Sequence, residues 1–158
     1  MPLIYPKNVN KKYDLGIIPH FVDKDSEVVN KWEQSQGSKN IIDTLDTPEQ
    51  VIYKIKQCRN IISSSLHGLI IAETYGIPSA WFVMPQETRN KNYSFYKYLD
   101  HYSALGIEIE PYIATGAETI KQLIDITTLK PKKEIDTCIS NLDACMKQLR
   151  KSIKSRHS

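Results

Sequence analysis

His67 stands in the stretch NIISSSLHGLIIAETYGIPSAW, which opens at Asn60 as an apolar strand, passes through three serines and closes on a Gly-x-Pro stop. An imidazole at the junction of a buried strand and a buried helix titrates near neutral pH and can act as a general acid or base. Ser64 or Ser65 is placed to cap the following helix. The free N–H groups of that helix's first turn, with the positive end of its dipole, favour an anion, and serine hydroxyls add donors. Gly68 is expected to keep side-chain bulk away from an approaching ligand. The chemistry these residue types suit is proton transfer beside a bound anion. A plainer role stays open at this point, because serines cap helices routinely and a lone histidine on an apolar helix is commonly a hydrogen-bonded packing residue.

His20 is the second candidate. It follows the apolar run of YDLGIIPH and is placed either to reach the same crevice or to pack. The DKD at Asp23 to Asp25 resembles the paired aspartates with which many sugar transferases hold a metal-bound nucleotide. Hard cations collect more oxygen ligands than this stretch offers, so no metal is expected, and no cofactor. The chain has no G-x-G-x-x-G, no phosphate-loop lysine motif and no serine in a nucleophile-elbow context. A plain dehydrogenase, NTPase or α/β-hydrolase is therefore disfavoured.

The elements that must position these residues follow from the pattern. Short apolar runs at Tyr13, Asn40, Asn60 and Ser79 read as strands. Between them, TPEQVIYKIKQC carries Thr47 as N-cap, Pro48 at the first helical position and Gln50 three residues after the cap, a capping box. A helix from about Leu66 to Tyr75 ends on Gly76 and Pro78. Strands that alternate with helices, and that read as continuous apolar runs, predict a parallel sheet covered on both faces. The expected fold is a single α/β, Rossmann-like domain over residues 1–158. Ligands of such sheets bind beyond the carboxyl ends of the strands, where SSSLHG lies. The segment from Pro85 to Gly106 reads as a long loop with one short helix, and IEIEPY as a last strand. Thr115 and Glu118 read as a capping box for GAETIKQLIDI. Residues 131–156 predict one long amphipathic helix, striped by Ile135, Ile139, Leu142, Met146, Leu149 and Ile153.

Composition narrows the class. A length of 158 residues suits one domain with a sizeable core. No apolar run approaches the ~20 residues of a membrane span. A net charge of +3 is too small to imply nucleic acid. Cys58, Cys138 and Cys145 form no paired framework, which suits a reducing cytoplasm, and Cys138 and Cys145, seven apart on one helix face, are expected as small core residues.

Three blocks, YDLGIIPHFVDKD, IIDTLDTPEQVIYKIKQCRNIISSSLHGLIIAETYGIPSAW and YKYLDHYSALG, occur in order. Through them the sequence, from about Leu3 to Gly106, resembles the C-terminal half of the polysaccharide pyruvyl transferases. The resemblance implies one lobe of a two-lobed GT-B arrangement, with the N-terminal lobe absent and the isolated chain inactive or weakly binding. It implies transfer of pyruvate from phosphoenolpyruvate to two hydroxyls of a surface or exopolysaccharide sugar, giving a ketal and phosphate, in the cytoplasm or at the inner face of the membrane. His67 matches the histidine of the family's Leu-His motif and is the implied general acid or base. Ser64, Ser65, Leu66 and Gly68 match the donor-binding turn, with His20 in the same crevice. Asp100, Tyr102 and Ser103 match an aromatic-acidic motif that lines the site. Many relatives carry an arginine where this chain has Ser65, so the positive charge for the donor is expected from Arg59, Arg89 or the other lobe. Two other readings remain: the nucleotide-sugar-binding lobe of a GT-B glycosyltransferase, and a non-catalytic interaction module that forms a homodimer through the tail helix.

Overall fold

A computed structural model describes residues 5, 8–85 and 95–155. Five strands, β1 (Tyr13–Ile18), β2 (Lys39–Ile41), β3 (Cys58–Ser63), β4 (Ser79–Val83) and β5 (Tyr112–Ile113), form one sheet in the order β2-β1-β3-β4-β5. Every strand pairing is parallel. The chain moves outward from β1 to β2, returns to β3 on the other side of β1 and then continues outward. The reversal point lies between β1 and β3, and in doubly wound sheets the crevice opens there, beyond the carboxyl ends. The expected parallel α/β architecture is therefore the one observed. IEIEPY departs from expectation: only its tyrosine enters a strand, which starts at Tyr112.

Three apolar clusters hold the layers. Leu15, Ile17, Trp32, Phe82 and Leu123 pack on one face beneath α1 (Glu27–Gln34) and α5 (Ile120–Asp125), with the Trp32 and Phe82 rings edge to face at 5.2 Å. The other face is covered by α2 (Pro48–Lys56) and α3 (Leu66–Thr74), through Ile18, Ile55, Ile61 and Ala72. A third cluster joins Leu69 and Trp81 to α4 (Tyr96–Ala104) and to the start of α6 (Lys132–Ser155). Gly16 leaves room for the side chains of its neighbour strand β3, since a Cβ there would stand 2.5 Å from Ile61 Cδ1.

Helix ends follow local chemistry. Thr47 and Gln50 form the expected capping box of α2. Gly76 has φ +65°, and the Gly76 and Ile77 N–H groups bond the Glu73 and Ala72 carbonyls, closing α3 with a Schellman motif. Ser26 caps α1, a helix that the apolar pattern did not announce. The cap of α5 is Thr119 with Gln122, not Thr115 with Glu118. Glu118 instead gathers five donors: Trp32 Nε1 and the Tyr112 hydroxyl at 3.1 Å, the Thr115 N–H and hydroxyl at 2.8 Å, and the Gly116 N–H at 2.9 Å. That collar holds the loop 115–118 in place and delays the helix by one turn.

One expectation about the tail, its cysteines as core residues, differs from the structure. Cys138 and Cys145 are exposed, whereas Cys58 is buried and its thiol is pushed up to about 12 by burial. Ile135 enters the third cluster, but Leu142, Met146, Leu149 and Ile153 are 45 to 65% exposed.

Burial acts to raise the Glu118 carboxyl, but hydrogen bonds from Thr115 and Trp32 outweigh it and leave the group below 4.5. Its contribution to stability is complete above its unfolded value and is lost as pH falls through the folded one. Glu118→Gln is expected to cost about 2 kcal/mol at neutral pH, because a donor then faces donors. In urea unfolding, the gap between variant and unaltered chain should close as pH drops through that range; a constant gap would contradict the assignment.

Candidate functional site

At the carboxyl end of β3 the chain must leave the sheet and start a helix within two residues, and three serines divide the work. Ser63, fully buried, accepts from the Ser65 N–H at 2.9 Å and turns its hydrogen toward the Ile18 and Ser65 carbonyls. It fixes the turn and takes no outward role. Ser64 is the crossing point. Its N–H donates to the Ile18 carbonyl at 3.1 Å, its hydroxyl donates to Asp23 Oδ2 at 2.7 Å, and it accepts from the His20 N–H at 2.9 Å. Its carbonyl accepts from the Tyr98 hydroxyl at 2.6 Å. Ser65 occupies the N-cap position of α3 but makes no side-chain cap bond, so neither serine caps the helix as the sequence suggested. The first turn of α3 thus keeps its N–H groups uncapped by any side chain, unlike α1, α2 and α5.

His67, in that first turn, is exposed. Leu66 packs against the third cluster and contributes no polar group. Gly68 has a different reason from the one expected. It faces inward, and a Cβ would meet Ser63 Oγ at 2.6 Å and Ile18 Cδ1 at 3.0 Å, so the glycine lets α3 sit against β1 and β3. Beside this turn lies a pocket of about 90 Å³ whose wall includes His20, Asp23, Ser64, Trp81, Lys97 and Tyr98. Tyr98 stacks on Trp81 with ring centres 4.2 Å apart and planes nearly parallel, which gives the pocket a rigid aromatic floor. The His20 imidazole is lowered first by burial, then by the charges of Lys97 and His67, with Asp23 opposing. His20 and Lys97 line this pocket, and His67 stands outside its lining, in the first turn of α3.

Other candidate residues lie elsewhere. Tyr102 is fully buried at the far end of α4 and donates to Glu73 Oε1. Its phenol is raised by burial and then by the Glu73 charge. Glu73 also meets His101 Nε2 at 3.2 Å and the Ser79 hydroxyl at 3.2 Å, at the start of β4. This cluster sits at the amino end of the sheet and anchors α4 to α3. Ser103 bonds the Asp100 carbonyl within the same helix, and both residues are exposed. Asp100, Tyr102 and Ser103 are therefore not in the wall of that pocket, whereas Tyr98, earlier in the same helix, is. Arg59 pairs with Asp14 at 3.4 Å near the amino ends of β3 and β1, so it is not the charge at the crevice. Arg89 lies outside the described residues. Sequence reasoning missed Lys97, although the spacing Lys97-Tyr98 within YKYLDHY was visible, and it missed the buried hold on Asp23. Among the described residues no group of three or more His, Cys, Asp or Glu could hold a metal ion.

The sequence model of one family, polysaccharide pyruvyl transferase, matches residues 2–84, which is more than half of the chain and includes β1 through β4. The chain belongs to that family. A relative, the uncharacterized protein L143 of Acanthamoeba polyphaga mimivirus, is 33% identical over 106 residues, covering 63% of this chain and 34% of the relative. The chain thus spans about a third of that relative's length. No solved structure matches it.

Gly68→Ala should lower stability by about 1–3 kcal/mol, since Ser63 and Ile18 are both fixed in the sheet. Thermal unfolding measures the loss, and an unchanged midpoint would show that the α3 contact can relax.

Proposed function

We propose that this domain is the C-terminal lobe of an enzyme that transfers pyruvate from phosphoenolpyruvate to two hydroxyls of a polysaccharide sugar. The observation that carries the reading is the exposed His67 imidazole beside uncapped helix N–H groups and a small pocket bordered by basic side chains. The facing wall of the crevice belongs to a further lobe, in keeping with a relative about twice as long. Cytoplasmic placement, at or near the inner face of the membrane, is part of the same proposal. Among the described residues no helix is long and apolar enough to cross a membrane.

Protonated His67 gives its proton to the methylene carbon of the enol phosphate, which becomes a methyl group, and C2 becomes electrophilic. The first sugar hydroxyl adds at C2 and returns a proton to the imidazole. Phosphate leaves with the C–O electron pair, the second hydroxyl adds, and its proton departs with the phosphate. The first-turn N–H groups and the pocket cations stabilise charge on the donor throughout.

Pocket size supports the choice of donor. About 90 Å³ accommodates one small anionic group, well below the ~300 Å³ at which sites for larger ligands begin. A nucleotide-sugar lobe would need more room there. In the intact protein, His67→Ala should leave the fold unchanged and reduce ketal formation by about 10²–10⁴, the usual range for a placed proton donor. Unchanged turnover would remove His67 from the mechanism, and protection by a nucleotide sugar but not by phosphoenolpyruvate would replace the reading with the glycosyltransferase one.

The exposed stripe of α6 favours a second role, self-association. Its apolar residues follow one another by four and three, the heptad spacing of paired helices. An antiparallel pairing centred between Leu142 and Met146 sets Asp136 of each copy near Arg150 of the other. Sedimentation velocity should show dimer increasing with concentration and abolished by Leu142→Lys; a monomer at every concentration would exclude it.

A further inference from the structure

The domain's own cation for the donor can be read from the pocket. Ser65 is uncharged, Arg59 is committed to Asp14 at the wrong end of the sheet, and α3 carries no lysine or arginine. Lys97 is different. It stands in the first turn of α4, whose position is set by its neighbour Tyr98. The Tyr98 hydroxyl is bonded to the Ser64 carbonyl, and its ring is stacked on Trp81. Residue 97 is thereby pinned within reach of the turn that carries His67. Lys97 borders the pocket together with His20 and Asp23.

Its surroundings leave the charge available. Lys24, Lys31, Lys54 and Lys147 each pair with a carboxylate, whereas no carboxylate among the described residues pairs with Lys97. Asp23, the carboxylate of the pocket wall, already accepts the Ser64 hydroxyl at 2.7 Å. The Lys97 ammonium rests 5.2 Å from the centre of the Tyr98 ring, a weak contact that orients without neutralising. Two basic side chains, His20 and Lys97, therefore line one small cavity with a single carboxylate, Asp23, in its wall. Convergence of like charge is unfavourable in the empty protein and is relieved when an anion enters.

We infer that Lys97 is the donor-selecting residue of this site, the fixed charge that holds the phosphate group of a small phosphorylated acid. The inference rests on the pyruvyl transferase reading for the identity of that acid, though not for the binding of phosphate itself. A compact ammonium on a flexible stem can follow the phosphate as the ester bond breaks, so Lys97 grips both donor and released product.

Isothermal titration calorimetry on this chain, with inorganic phosphate, phosphoenolpyruvate and pyruvate at one ionic strength, tests it. Lys97→Met should weaken phosphate binding by about tenfold or more, the loss expected for a charge-assisted contact. Lys97→Arg should recover most of the affinity, and Lys147→Met, which alters a paired lysine on α6, should leave it unchanged. Lys97 is exposed, so all three variants should unfold at the temperature of the unaltered chain. Phosphate bound equally well by the Lys97→Met variant would overturn the inference, as would no phosphate binding by the unaltered chain. If phosphate binding depends on Lys97 but phosphoenolpyruvate binds no tighter than phosphate, the inference stands and the pyruvyl donor reading falls.

Discussion

One buried hydroxyl, that of Ser64, holds the crevice together. It accepts from the backbone of His20 and donates to Asp23, while the carbonyl of the same residue receives the Tyr98 hydroxyl. Three segments far apart in sequence meet on it: the exit of β1, the exit of β3 and the first turn of α4. Parallel sheets deliver strand ends to one edge but leave the loops beyond them unspecified. Here the loops are specified by hydrogen bonds to a single residue that is itself fixed by the register of β1 with β3. Removing that hydroxyl would take a partner from the buried Asp23 carboxylate and from the half-buried His20 N–H, which is why the site depends on it more than on any exposed side chain.

Around that point the site divides into a rigid rear and an open front. At the rear, Gly68 lets α3 sit against Ile18 and Ser63, and Tyr102 ties α4 to Glu73 at the opposite end of the sheet. In front stand His67, His20 and Lys97, which are the groups with charge or protons to offer. Precision in the front row comes from packing in the rear, a common arrangement where chemistry is carried on loops mounted on a sheet.

Much of this was legible in the sequence. Thr47, Pro48 and Gln50 announced α2, Gly76 announced the end of α3, and apolar runs separated by helices announced the parallel sheet, because each rests on local chemistry. His67 stood out because it interrupts an apolar run at a strand end. What escaped notice depends on contacts across the fold. Glu118 looked like a capping residue until Trp32, more than eighty positions away, supplied a donor. Tyr102 is a site residue only through the family resemblance, and its hydroxyl is bonded inward to Glu73. Lys97 looked like one more surface lysine, and only the bond from Tyr98 to Ser64 shows that α4 begins at the crevice.

The central claim is that a small phosphorylated acid lies between His67, Lys97 and the first turn of α3. Chemical-shift mapping of the backbone amides and histidine rings during a phosphoenolpyruvate titration tests this most directly. The account predicts saturable shifts centred on Leu66, His67, Gly68, His20 and Lys97, with the Glu73 and Tyr102 cluster unmoved. Shifts confined to that rear cluster or to α6, or none at all at saturating ligand, would contradict it.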